Sequence, residues 1–270
     1  DVVGGCPYNE LSWDDTSSHI DKVFELALKR NLDVDLHVDF ADDTQDRRFA
    51  ATEYIARKTI EPGYRGRVAL GHVTSLGSLT ADTLKPIIEL LREADIHIVT
   101  LPATDTYLGG RRDEVNPRRG LTPVRALLAA GVNVAYSPNT IRNAFTPFGK
   151  ADPLQIGNLL AHLIQFGTPE HQADILKMST TNAARAVGLS DRYGLAVGKQ
   201  ADFAFYTRDE LRFSGAADPL AALILCGAHA ADRVMVKGAW KVEHGLPTGI
   251  DVAQLRHEHG TAAKAFLEAL

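Results

Sequence analysis

The feature that most constrains this chain is an alternation that runs through its first two thirds. Short runs rich in Val, Ile and Leu take turns with amphipathic stretches at helical spacing. That rhythm is the βαβα pattern of a parallel sheet, whose strands are buried on both faces and therefore read as continuous apolar runs. Strands are expected at Val2 to Gly5, Val34 to Val38, Val68 to His72, Ile96 to Leu101 and Val132 to Tyr136. Between them fall helices at Ser17 to Lys29, from about Thr44 to Thr59, around Leu84 to Leu91, and at Val124 to Ala130, the first with Ile20, Val23, Phe24 and Ala27 on one face. Pro102 to Gly120 reads as one long loop, of a length more often functional than idle.

After a second loop, Ser137 to Asp152, helices are expected at Pro153 to Phe166, Glu170 to Met178 and Thr181 to Val187. The rhythm then changes. Ala201 to Tyr206 and Arg233 to Val242 read as strands, the latter hinged at Lys237-Gly238-Ala239 as a hairpin, and Val252 to Leu270 reads as a helix. The expected organisation is an α/β body over residues 1–190, a small β subdomain over 191–250 and a terminal helix over 251–270. Five β/α strands are too few to close an eight-stranded barrel. An open doubly wound sheet is the alternative, although no strand is followed by G-x-G-x-x-G or a P-loop. The opening Asp1-Val2-Val3-Gly4-Gly5 is a strand pattern with no lead-in and reads like the middle of something.

With 45% apolar and 23% charged residues, the chain can bury a real core. A formal charge of -5 with no Lys/Arg run argues against nucleic acid as a partner. Cys6 and Cys226 are the only cysteines and form no C-x-x-C, which fits a reducing cytoplasm and leaves a thiolate zinc site without support. No apolar run approaches the roughly 20 residues of a membrane span, Ala221 to Cys226 being typical, so no membrane role is expected.

In parallel α/β folds catalytic groups collect at the carboxyl ends of strands. Asp35-Leu36-His37-Val38-Asp39 ends one strand with an imidazole and a carboxylate, Gly71-His72-Val73-Thr74-Ser75 ends the next with a second imidazole, and Ser137-Pro138-Asn139-Thr140 ends the last with amide and hydroxyl groups. Either histidine taken singly is more often just hydrogen-bonded in a loop; two at equivalent strand ends favour a metal-assisted site. Asp42 and Asp43 read better as a helix start than as chemistry. His97, early in its strand, reads as structural, His257-Glu258-His259 as a solvated helix face, and His19, His162, His171, His229 and His244 form no constellation. Arg111 and its neighbours in the 109–120 loop could clamp an anionic substrate, or be held in ion pairs with Asp113 or Glu114.

Taken in order, these segments resemble the cytosine deaminases of the amidohydrolase superfamily. His37 to Asp43 resembles their H-x-D-E-x-D-D segment after strand five, and Gly71 to Ser75 their S-H-T-T segment after strand six. Leu108-Gly109-Gly110-Arg111-Arg112-Asp113 with Pro117-Arg118-Arg119-Gly120 is similar to L-Q-G-R-x-D followed by P-x-R-R-G. Thr146-Pro147-Phe148-Gly149 resembles Y-P-L-G, and Ser179 to Val187 with Gly194, Gly198 and Ala201-Asp202 the family's C-terminal pattern. The resemblance implies a (β/α)8 TIM barrel of the amidohydrolase type lacking strands one to three, and with them the H-x-H metal pair. It also implies a divalent metal ion, zinc or iron, ligated by His37 and by Asn139 where the family has Asp. His72 and Asp39 would be catalytic, and Asn139, Thr140 and Arg111 would bind substrate.

The resemblance departs at the chemistry itself, since Phe40 stands where the family carries its catalytic Glu, and Thr140 where it carries an acidic residue. Two functions stay open. One is a metal-dependent hydrolase of carbon–nitrogen bonds in a cyclic amidine or amide; the other is a small-molecule-binding paralogue that has lost its acid/base groups. An unclosed sheet would also expose strand edges and apolar faces, giving poor solubility unless a homo-oligomer or another segment covers them.

Overall fold

The computed structural model describes residues 1–270 except 144, 150, 228, 229 and 270, which leaves His229 outside the described residues. The chain divides into two compact units, residues 1–191 with 216–228, and residues 192–215 with 229–270.

The first unit is built on five parallel strands in the order of the sequence: β1 (Val2–Gly5), β2 (Asp33–Val38), β3 (Val68–His72), β4 (His97–Thr100) and β5 (Asn133–Tyr136). Side chains alternate across a strand, so register decides which residues share a face. Leu36 pairs with Leu70, Leu70 with Ile98 and Ile98 with Val134. All four are fully buried and run as one apolar row across the sheet. Asp35 and His37 occupy the opposite face of β2, where exposure is greater.

Helix α1 (Trp13–Arg30) begins four residues before the expected Ser17. Ser12 accepts a hydrogen bond from Asp15 N–H, Asp14 and Asp15 complement the first turn, and left-handed Asn31 ends the helix, so the capping residues were in the sequence. Helix α2 (Thr52–Ile60) begins eight residues after the expected Thr44, behind a short 3-10 turn at Arg47–Phe49. Asp42 and Asp43 therefore start no helix. Helix α3 (Ala81–Glu93) buries Leu84, Ile88 and Leu91.

The segment read as a loop from Pro102 opens instead with α4 (Pro102–Leu108), with Pro at the first helical position, where its missing N–H costs nothing. After α5 (Val124–Ala129) and β5 come α6 (Pro153–Leu163), α7 (Pro169–Met178), α8 (Thr181–Ala186) and α9 (Pro219–Leu225). The last belongs to the first unit and was not expected as a helix there. Buried Leu154, Leu160, Ile175, Met178 and Ile224 carry the core into these helices.

The second unit holds a four-stranded antiparallel sheet of β6 (Phe203–Phe205), β7 (Arg233–Val236), β8 (Ala239–Glu243) and β9 (Leu246–Pro247). Lys237 and Gly238 join β7 to β8 with φ of 51° and 78°, the two-residue hairpin that the sequence marks. The unit also contains α10 (Val252–Glu268), which has no buried residue and leaves His257 and His259 exposed. Both cysteines are free, and among the described residues no helix is long and apolar enough to cross a membrane.

Candidate functional site

The carboxyl ends of β2 and β3, with the start of α4 just beyond β4, bring three polar side chains into one line. His37 Nδ1 lies 3.0 Å from His72 Nε2, and His72 Nδ1 lies 2.7 Å from Asp105 Oδ1. Asp105 also accepts from Leu101 N–H at 3.2 Å. A carboxylate accepting from His72 Nδ1–H leaves the lone pair on Nε2, where His37 Nδ1–H donates; the lone pair of His37 Nε2 then remains free. His72 and Asp105 are buried and His37 is half-buried. Burial pulls the His37 imidazole below its ordinary range, helped by the neighbouring His72 and opposed by Asp35. Burial pushes the Asp105 carboxyl up, while its hydrogen bonds from His72 and Leu101 act against that shift.

Backbone strain aims His72. Val38 and His72 are partners in register, and Val38 is fully buried on the apolar face. Regular strand geometry would send the His72 ring to that face too. Instead His72 and Val73 take φ of 73° and 50°, a left-handed conformation that is an outlier for a β-branched residue and costs about 1–3 kcal/mol per residue. The turn is fastened by Thr122 Oγ1–H donating to the His72 carbonyl at 2.6 Å and by Val73 N–H donating to Val38 O at 3.1 Å. Phe40 stacks on the His72 ring at 4.5 Å between centroids and Tyr8 meets it edge-on at 6.2 Å.

Asp39, expected to orient His37 or move protons, is placed elsewhere. Fully buried, it accepts from Ala51 N–H at 2.8 Å, Thr52 N–H at 2.9 Å and the Thr52 hydroxyl at 2.5 Å. It caps α2 from the far side of a loop, and burial holds its carboxyl above the usual carboxylate range against those three bonds.

Asn139 is exposed, with φ of 65°, and Thr140 is bonded through its hydroxyl to Thr146. No hydrogen bond among the described residues ties either of them to the histidines. Arg111 lines a cleft of about 690 Å³ with Phe40, Ala41 and Thr74, which opens beside the stacked Phe40 and His72 rings. In the same loop Arg118 forms an ion pair with Asp113, one of the two readings left open, at 2.9 Å through both Nε and Nη2, which takes the Asp113 carboxyl down to about 2. His97 is buried with Nδ1 unpartnered and its imidazole is depressed by burial, a structural placement as expected.

Asp105 is the residue that sequence reasoning missed. The signal available was Pro102 after a strand, which marks a helix start and puts Asp105 in its first turn. A catalytic zinc takes three protein ligands, yet the described residues contain no group of three or more His, Cys, Asp or Glu able to hold a metal ion. His37 offers one free nitrogen and Asn139 is not joined to it, so the donors of this chain do not by themselves fit a metal centre.

Paired imidazoles and a carboxylate at the carboxyl edge of a parallel sheet stand where α/β barrels carry their active sites. The chain belongs to the amidohydrolase family, whose model matches residues 5–239. It is 32% identical over 194 residues to the pterin deaminase of Rhizobium rhizogenes, covering 72% of this chain and 43% of that protein. Over 92 residues, 34% of this chain and 20% of the relative, it is 53% identical to the 8-oxoguanine deaminase of Pseudomonas aeruginosa. The structure of 5-methylcytosine deaminase from Klebsiella pneumoniae, liganded with 5-fluorocytosine, superposes with a TM-score of 0.81 at 27% identity, covering 94% of this chain and 58% of that one. The fold therefore matches that of amidohydrolase barrels, and the chain spans about half the length of such relatives or less.

Proposed function

We propose that the whole protein hydrolyses a carbon–nitrogen bond in a cyclic amidine or amide, as a deaminase does, with the cleft beside Phe40 receiving the substrate. The line from His37 through His72 to Asp105 is the observation that carries this reading. Asp105 fixes the His72 tautomer and balances the charge that the imidazole gains when Nε2 takes a proton, the arrangement general acid–base catalysis needs. Once its hydrogen bond from His37 Nδ1–H opens, His72 Nε2 is the group that takes a proton at the attacked centre and returns it to the leaving nitrogen. His37 Nε2 is the atom that this chain would contribute to a divalent metal site, zinc or iron, of the whole protein. In that protein the five-stranded sheet forms part of an eight-stranded barrel.

Phe40 favours a second reading. An apolar ring covers His72 where a carboxylate would relay protons, as expected of a binder that has lost its chemistry. Ammonia release from a panel of cyclic amidines, together with elemental analysis, separates the two. A hydrolase carries stoichiometric metal that His37→Ala loses, and His72→Asn lowers its turnover by about 100-fold or more. Binding without metal or turnover in the whole protein would leave the binder.

A further inference from the structure

The cleft beside Phe40 has an unbalanced wall. Four arginines line it, Arg48, Arg111, Arg112 and Arg118, with three carboxylates, Asp42, Asp43 and Asp46. Arg48 is engaged by Asp46, donating from Nε at 3.0 and 3.1 Å and from Nη2 at 2.6 Å. Arg118 is engaged by Asp113 and reaches Asp43 at 3.4 Å. The carboxylates are committed too, Asp42 accepting from Gly110 N–H at 2.8 Å and Asp43 from Gln45 N–H at 3.0 Å. Arg111 and Arg112 are left over. Arg111 only donates to the Tyr107 carbonyl, at 3.3 Å, lying over the Tyr107 ring at 4.8 Å, and neither pairs with a carboxylate among the described residues.

These two guanidiniums are not on a loose tether. The α4 helix that presents Asp105 to His72 ends with Gly109 N–H donating to the Asp105 carbonyl at 2.8 Å. Gly110 follows at φ 68°, so close to the returning strand of the loop that a Cβ there would lie 1.7 Å from the Arg118 carbonyl oxygen. The two residues just before the pair are thus pinned, Gly109 to the Asp105 carbonyl and Gly110 to the Asp42 carboxylate. Two planar cations on the wall of a cleft and without a carboxylate partner suit an oxyanion, which a guanidinium binds with two parallel hydrogen bonds.

We propose that the molecule taken by this cleft carries an oxyanion, a carboxylate or a phosphate, on a part remote from the bond that is broken, and that Arg111 and Arg112 hold it. The proposal rests on the reading of the cleft as the substrate site. It narrows the substrates from plain heterocyclic bases to bases bearing an acidic appendage.

The test is calorimetric titration of the chain with three probes: pterin-6-carboxylate, its neutral 6-carboxamide, and 6-hydroxymethylpterin phosphate. At least one anionic probe is expected to bind about tenfold more tightly than the carboxamide, and the tighter of the two distinguishes carboxylate from phosphate. The double variant Arg111→Gln, Arg112→Gln should abolish the preference, and Arg111→Lys, Arg112→Lys should keep part of it. Both arginines are exposed, and an unchanged circular dichroism spectrum checks that the variants fold. Equal affinity for anionic and neutral probes overturns the anion site while leaving the substrate cleft standing; a preference that survives in the glutamine variant also overturns it. No binding of any probe overturns both. An anion preference that persists in a whole protein without turnover would sustain the arginine site and remove the hydrolase reading alone.

Discussion

Replacing Asp39 by Ala tests whether that carboxylate is architecture or chemistry. It removes three hydrogen bonds, from Ala51 N–H, Thr52 N–H and the Thr52 hydroxyl, at a fully buried position. Losing a buried helix cap, the donors it satisfied included, costs about 2–3 kcal/mol. Alanine at φ 54° adds about 1 kcal/mol. Against this, the carboxyl no longer has to be buried, and its raised pKa shows that burial to be costly. The net loss is about 3 kcal/mol, which lowers the melting temperature by roughly 6–12 °C for a chain of this size. Asp39→Asn keeps one acceptor and tolerates the left-handed backbone, so it should lose less than half as much. Thermal melts followed by circular dichroism read both. A melting temperature for Asp39→Ala within about 1 °C of the parent, together with lost turnover in the whole protein, would refute the capping role and restore Asp39 to the reaction.

Two further outcomes follow from buried groups. The His97 imidazole is depressed by burial from an ordinary value of 6.5, so the unfolded chain binds more protons than the folded one below that value. Its contribution to stability is full above pH 6.5 and is lost as pH falls through the folded value, so the melting temperature should drop on acidification from pH 7 toward 5, and His97→Gln should flatten that slope; an unchanged slope would show that His97 does not set it. Asp105→Asn can donate as well as accept at His72 Nδ1, so the ¹⁵N shifts of the His72 ring, assigned by comparison with His72→Asn, should show both tautomers, while the melting temperature moves by only about 2–5 °C. A single unchanged tautomer would mean that Asp105 does not position the ring.

The strands and the two histidines at their ends were legible because apolar runs flanked by polar residues fix both the element and its carboxyl end. Positions that depend on contacts distant in sequence were not. Asp39 looked catalytic because it sits beside His37 in the chain; its true partners, Ala51 and Thr52, lie past a loop that the helical pattern from Thr44 had absorbed. Asp105 was hidden inside a stretch read as loop, although Pro102 marked the helix that carries it. Asn139 and Thr140 were placed in the site by resemblance, and their bonds run to Ser137 and Thr146 instead. The ion pair of Arg118 with Asp113 was one of two open readings, and it is the one seen for that arginine; among the described residues Arg111 and Arg112 pair with no carboxylate.

The left-handed pair His72–Val73 makes the orientation of the central imidazole a matter of two backbone angles rather than of side-chain rotamers. If that turn relaxes into ordinary strand geometry, the ring passes to the apolar face of the sheet and its links to His37 and Asp105 are both broken. Such a residue has no intermediate setting. A substitution far from the ring that weakens the Thr122 bond to the His72 carbonyl would therefore act as a loss of occupancy, removing a fraction of molecules from service while those that remain work at full rate. Kinetically it would present as less enzyme, not as a poorer one.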